Sequence, residues 1–223
     1  MKIYNVTKSY DNFQLDLPRL ELQRGVIHGI IGSNGCGKTT AMKIMAGLIK
    51  PDSGSINYEG LLPRDITMLT RKPYMMRCTV TQNLIYPLKL RGIEPDEDTV
   101  SHYLEIAGLQ NYRDSNALGL SSGQQQKLAL ARALIFSPKL ILVDEAFSNM
   151  DIESLAFFES YILERQKNRR ATWLIVSHQL STIRRLCDYV YFMQNGLIHC
   201  EGPTADLLDN PRDDILKKYL FYA

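Results

Sequence analysis

Three stretches of the chain carry residue types that can handle phosphate, or the metal and water that act on it. Residues 32–39 read GSNGCGKT, which is glycine, four residues, then Gly-Lys-Thr, with the apolar run VIHGII before it and KTTAMKIMAG after it. Strand, glycine turn and helix in that order are the context in which this spacing forms a P-loop. Gly32, Gly35 and Gly37 let the backbone turn its N–H groups around a polyphosphate. Lys38 brings a point charge to the β- and γ-phosphates, and Thr39 a hydroxyl for Mg2+. At 140–145, LILVDE ends an apolar run on two carboxylates. Asp144 is placed to hold a hydrated metal, and Glu145 to orient or deprotonate an attacking water. Residues 120–124, LSSGQ, form a Ser/Gly turn that opens a helix-forming run. Unpaired N–H groups and the positive end of a helix dipole suit an anion there. Serine is also an ordinary N-cap at any helix start. A second phosphate holder in one small chain needs a reason.

These stretches must be positioned by a scaffold, and the apolar periodicity outlines one. KIYNV, FQLDL and VIHGII read as strands, and the helix after the P-loop closes at Gly47. KPDSGSINYEG gives a turn and short strand, and ITMLT another strand. From Thr79 to about Pro138, apolar residues recur at three- and four-residue spacing, which predicts a helical insertion. Beyond it LILVD, a helix from Ile152 to Asn168, TWLIVS, a helix through LSTIRRLC, YVYFMQNG and LIHCEG alternate, as in an α/β fold whose parallel sheet is covered on both faces. A length of 223 residues suits one domain, and 45% hydrophobic residues with a net charge of +2 describe an ordinary globular protein. That charge gives no field to single out nucleic acid or an acidic membrane as the main ligand. No apolar stretch is long enough to span a bilayer and MKIYNVTKSYDNF lacks the apolar core of a signal peptide, so the expected location is the cytosol. Cys36, Cys78, Cys187 and Cys200 are scattered without metal or disulfide spacing.

Taken with the P-loop and LILVDE, LSSGQ resembles the signature loop of the ATP-binding cassette (ABC) ATPases. SNMD at 148–151 is similar to that family's D-loop, and VSH, ending at His178, to its switch histidine; the motifs stand in the family's order along nearly the whole chain. The resemblance implies a single domain over residues 1–223: a P-loop NTPase core with a mainly parallel sheet, an N-terminal antiparallel β-subdomain, and the helical insertion at about 79–138. It implies ATP and Mg2+ as cofactors and ATP hydrolysis as the activity. Ser33, Asn34, Cys36 and Thr40 then join the ATP cradle, and Tyr10 stacks on adenine, with Phe13 as a substitute. His178 reaches the γ-phosphate and holds the water of Glu145. By residue type alone, Tyr10 could equally be strand packing and His178 a satisfied core histidine. In this family the signature loop of one subunit closes on the γ-phosphate held by the P-loop of another, which supplies the reason for two phosphate holders. A closed two-fold homodimer would place each ATP between Lys38 of one copy and Ser121, Gly123 and Gln124 of the other, with Asp151 and Ser148 bridging the copies.

The resemblance further implies a transporter's ATP-binding subunit, peripheral on the cytoplasmic face, working with separate integral membrane subunits and with neither nucleic acid nor direct membrane insertion. RKPYMMRCTVTQNL would form the groove for a membrane subunit, with Tyr74, Met75 and Met76 either at that interface or in the core. An importer is favoured because exporters of the family often fuse ATPase and membrane domain, and KPYMMR and YPLKLRG resemble importers of oxyanions such as tungstate. The alternative is a soluble ABC ATPase acting on ribosomes or DNA. A P-loop kinase or GTPase would have no use for LSSGQ, SNMD and the histidine together. The chain departs from the family pattern at Arg71, where a glutamine that helps hold Mg2+ is usual. A guanidinium cannot ligate a metal and would meet phosphate or a carboxylate instead. Ser122 and Ala146 replace a usual glycine and proline without removing a group needed for hydrolysis. Cys36, inside the P-loop, is expected to fill the turn.

Overall fold

The computed structural model describes residues 1–147, 150–167 and 171–222, with Glu153 described by its backbone. Ser148, and Asn168 at the expected helix end, lie outside the described residues. The chain runs β1 (Lys2–Tyr10), β2 (Phe13–Glu21), β3 (Ile27–Ile31), α1 (Lys38–Met45), β4 (Ser53–Asn57), β5 (Ile66–Thr70), α2 (Val80–Leu90), α3 (Glu97–Ile106), α4 (Ser122–Leu134), β6 (Leu140–Asp144), α5 (Ile152–Gln166), β7 (Thr172–Val176), α6 (Leu180–Leu186), β8 (Tyr189–Gln194), β9 (Leu197–Pro203), α7 (Thr204–Leu208) and α8 (Asp214–Tyr222). The predicted strands and the helices up to α6 are present, and α2, α3 and α4 fall between β5 and β6. Two helices, α7 and α8, had no counterpart in the sequence reading.

A three-stranded antiparallel sheet, β2-β1-β4, stands beside a six-stranded sheet in the order β5-β6-β7-β3-β8-β9. The larger sheet is parallel from β5 to β8, and only β9 runs against its neighbour. Every residue of β3, β6 and β7 is buried, because alternate side chains go to opposite faces and both faces are covered. Ile141, Val143, Trp173 and Ile175 join one core with Leu84, Leu104, Leu128, Phe158 and Ile183 from the helices. Leu140, Leu142, Leu174 and Val176 join the other, with Met42 and Met45 of α1 and Ile3, Leu15 and Leu17 of the small sheet. Each such buried side chain contributes on the order of 2 kcal/mol.

Register then builds the functional edge. Thr70 pairs with Asp144, Asp144 with Val176, and Val176 with Ile30, one row across four neighbouring strands. The residues just past that row are Arg71, Glu145, His178 and Gly32, four points on the carboxyl edge where open α/β sheets hold ligands.

Candidate functional site

The phosphate loop begins where β3 ends. Gly32 has φ 147°, and a Cβ there would stand 2.1 Å from the Met193 carbonyl oxygen, so no other residue fits. Gly37, at φ 105°, turns the chain into α1 beneath the ring of Phe13, 2.8 Å from where its Cβ would lie. Lys38 is buried at the head of α1, and its ammonium donates to the carbonyls of Gly32 at 2.7 Å and Ser33 at 2.9 Å. The charge is gathered into the curve of the loop. Cys36 is buried, and burial pushes its thiol up against the opposing pull of Lys38, so it packs the turn as expected. Ser33, Asn34 and Gly35 are exposed on the loop, and in the first turn of α1 Thr39 is exposed and Thr40 half-buried.

Asp144 ends β6, buried, with burial pushing its carboxyl above the usual carboxylate range while the Thr39 hydroxyl and then Lys43 and Lys38 pull the other way. A buried carboxylate that gains from positive charge, beside a hydroxyl, is an oxygen donor set suited to Mg2+, which takes one or two protein ligands and completes its shell with water and phosphate. Glu145 turns at φ 52°, its N–H held by the Val176 carbonyl at 3.0 Å. One carboxylate oxygen lies 2.7 Å from His178 Nε2 and the other 3.8 Å from Arg71 Nη1. Arg71 therefore meets a carboxylate. The side chain of His178 is 41% exposed, which sets aside the core-histidine alternative.

Gln126 of α4 has no place in the sequence reading, although it braces this edge. Its side chain is buried and donates to the carbonyls of Ala146 at 2.5 Å and Thr70 at 3.5 Å. The available signal was a glutamine one helical turn from Leu130 and Ala129, on the apolar face of α4.

Tyr10 and the signature stretch are placed differently from the loop residues. Tyr10 is 47% exposed, its ring 6.5 Å from that of Phe13, the aromatic that touches the loop. Ser121 caps α4, accepting from Gln124 N–H at 3.3 Å, while Gln124 Oε1 accepts from Ser121 N–H at 3.0 Å. Gly123 lies in the first turn of the helix, and a Cβ on it would meet nothing within 4 Å among the described residues. Among the described residues, no hydrogen bond or ion pair joins Ser121, Gly123 or Gln124 to the phosphate loop. Asp151 caps α5, accepting from Ser154 N–H at 2.8 Å and from its hydroxyl at 2.7 Å. Its expected companion Ser148 lies outside the described residues.

A family profile described as ABC transporter matches residues 15–148, across the phosphate loop, LSSGQ and β6. The chain belongs to the ABC transporter family. It is an ATPase of that family. It is 36% identical over 203 residues to the tungstate uptake system ATP-binding protein TupC of Peptoclostridium acidaminophilum, covering 88% of this chain and 95% of that protein. It is 32% identical to a probable sulfate/thiosulfate import ATP-binding protein, CysA, of Chlorella vulgaris, covering 98% and 97%. It is 31% identical to the methionine import ATP-binding protein MetN of Staphylococcus saprophyticus, covering 96% and 67%. A solved structure of an ATP-binding subunit of an ABC transporter has the same fold, with a TM-score of 0.87 at 24% identity over 99% of this chain and 98% of that one.

In this ABC ATPase no helix among the described residues is long and apolar enough to cross a membrane. A groove of about 330 Å³ runs between the β5–α2 connection, α2 and α4, with Tyr74, Leu90 and Phe136 in its lining. Tyr74 is 77% exposed and Met75 only 5%, so the expected Tyr-Met-Met cluster divides, the tyrosine facing outward and Met75 packing with Leu84 and Leu88.

Proposed function

We propose that the chain is the ATP-hydrolysing subunit of an importer, bound to the cytoplasmic face of separate integral membrane subunits and working as a pair of identical copies, without nucleic acid as a partner. Residues 32–40, from Gly32 through Ser33, Asn34, Gly35, Cys36, Gly37 and Lys38 to Thr39 and Thr40, cradle the ATP phosphates, with Tyr10 or Phe13 against adenine. Thr39 and Asp144 hold Mg2+, which supplies charge neutralisation at the phosphates. Lys38 leaves the loop carbonyls for phosphate oxygens, an exchange of one set of oxygen acceptors for a charged one. Glu145 takes a proton from the attacking water, and His178, within hydrogen-bond reach of it, fixes the carboxylate and faces the same space.

The single observation that carries the shared-site reading is Gly123. Among the described residues nothing within its own chain requires a glycine there, which leaves room for a surface that approaches from outside. A second copy offering its P-loop provides one, and Ser121, Gly123, Gln124 and Asp151 then complete the partner's pocket. The import direction is supported by the names of the relatives, and an oxyanion such as tungstate is the cargo favoured by the uptake protein at 36% identity. The ribosome or DNA alternative receives no support from them.

Glu145→Gln tests the reading, since it removes the base and spares the cradle. At saturating MgATP it is expected to accumulate as a stable dimer in size-exclusion chromatography with light scattering, and to hydrolyse at least ~100-fold more slowly, the size of a general-base contribution. A variant that stays monomeric under those conditions would count against the shared site.

A further inference from the structure

The proposed hydrolysis gives no task to α8, yet that helix is firmly seated. The Asp213 carboxylate accepts from Leu216 N–H at 2.8 Å and pairs with His199 of β9 at 2.9 Å. Leu216 is completely buried, and the ring of Tyr219 lies 5.1 Å from that of Phe192 on β8. So held, α8 forms one wall of a cleft of about 530 Å³ whose other walls include Ser33 and Asn34 of the phosphate loop and His178. From that wall the Tyr219 hydroxyl accepts a hydrogen bond from Gly32 N–H at 3.2 Å.

Gly32 is thus gripped on both sides, its N–H by Tyr219 and its carbonyl by the Lys38 ammonium at 2.7 Å. Its backbone, at φ 147°, is in a conformation that side-chain-bearing residues rarely adopt. A glycine has the most conformational freedom to lose, so bonds that fix it have the largest effect on the shape of the turn.

We propose that Tyr219 is a positioning residue for nucleotide binding: through one hydroxyl the C-terminal helix sets the first turn of the phosphate loop, and so couples nucleotide affinity to its own docking. The inference rests on the P-loop reading above. The bond acts at the entry to the loop, on the strand next but one to that of Glu145, so it bears on ATP and ADP alike and leaves the chemical step alone. The packing of the ring on Phe192 does not depend on the hydroxyl, so Tyr219→Phe removes the bond and little else.

The test uses the full chain as wild type, Tyr219→Phe and Lys38→Ala. Calorimetry gives Kd for MgADP and for a slowly hydrolysed ATP analogue, and hydrogen exchange reads the peptide containing Gly32. In Tyr219→Phe both Kd values are expected to rise roughly fivefold, the worth of one neutral hydrogen bond. Exchange at Gly32 should quicken, the melting temperature without nucleotide should fall by no more than about 4 °C, and kcat at saturating MgATP should stay within about twofold of wild type. Unchanged Kd values in Tyr219→Phe, with binding lost in Lys38→Ala, would overturn the role of Tyr219 alone, and a lowered melting temperature with unchanged affinity would mark the hydroxyl as merely structural. Wild-type binding that survives Lys38→Ala would overturn the P-loop reading and this inference with it.

Discussion

Glu145 is the residue on which the proposed chemistry turns, and its carboxylate is shared between His178 at 2.7 Å and Arg71 at 3.8 Å. The guanidinium competes with the attacking water for the lone pairs of that carboxylate. Arg71→Gln is therefore expected to raise kcat for MgATP hydrolysis roughly two- to fivefold, the size of an exposed ion pair, since the side chain of Arg71 is 60% exposed. Steady-state phosphate release checks this, and an unchanged kcat would remove Arg71 from the account. At this scale the sequence was most legible where backbone chemistry fixes the residue type. Gly32 and Gly37 are required by φ and by close neighbours, and the GSNGCGKT spacing displays them. Gln126 was not legible, because its partners are carbonyls of residues 70 and 146 that only the folded chain brings to it.

Among the elements, α4 joins the clearest local signal to the clearest non-local purpose. Ser121 and Gln124 bond each other's backbones in a capping box, a pattern that needs no partner and can be read from SSGQ. Gly123, the second residue of the helix, breaks the local logic, since glycine is a poorer helix former than alanine, by up to about 1 kcal/mol deep in a helix. Gly123→Ala is accordingly expected to stabilise the isolated chain by up to ~1 kcal/mol in urea unfolding. The same variant should lower ATP turnover at least tenfold. A variant with normal turnover would show that no tight junction forms at this turn. Helix α8 divides the two in another way. Its N-cap, Asp213, and Leu216, Tyr219 and Leu220 at three- and four-residue spacing are a legible helix signal, but its place was decided by Phe192, His199 and Gly32, all distant in sequence.

For the whole molecule, the two cores on either side of the parallel sheet set stability, and His28 makes that stability sensitive to acid. It lies in β3, 1% exposed, against the paired rings of Tyr189 and Tyr191, its Nε2 accepting from Gln23 N–H at 3.0 Å. Burial pushes its pKa down to about 4 from 6.5. Between those values the unfolded chain binds a proton that the folded one refuses, so stability is full above the upper value and falls as pH drops through the window, by a total approaching ~3 kcal/mol. Urea midpoints at pH about 7 and about 4.5 should differ less in His28→Gln than in the wild type, and equal pH dependence in the two would exclude His28 as the source. The sequence by itself determined the motifs, the order of strands and helices as far as β9, and membership of the ABC family, because these rest on residue spacing, apolar period and the backbone freedom of glycine. Only the tertiary structure decided that Arg71, Glu145, His178 and Gly32 stand side by side, that Arg71 meets a carboxylate, and that α8 reaches the phosphate loop. Those meetings depend on strand order and register, β5-β6-β7-β3 rather than chain order, and on helices carried back across the sheet, which no local pattern encodes.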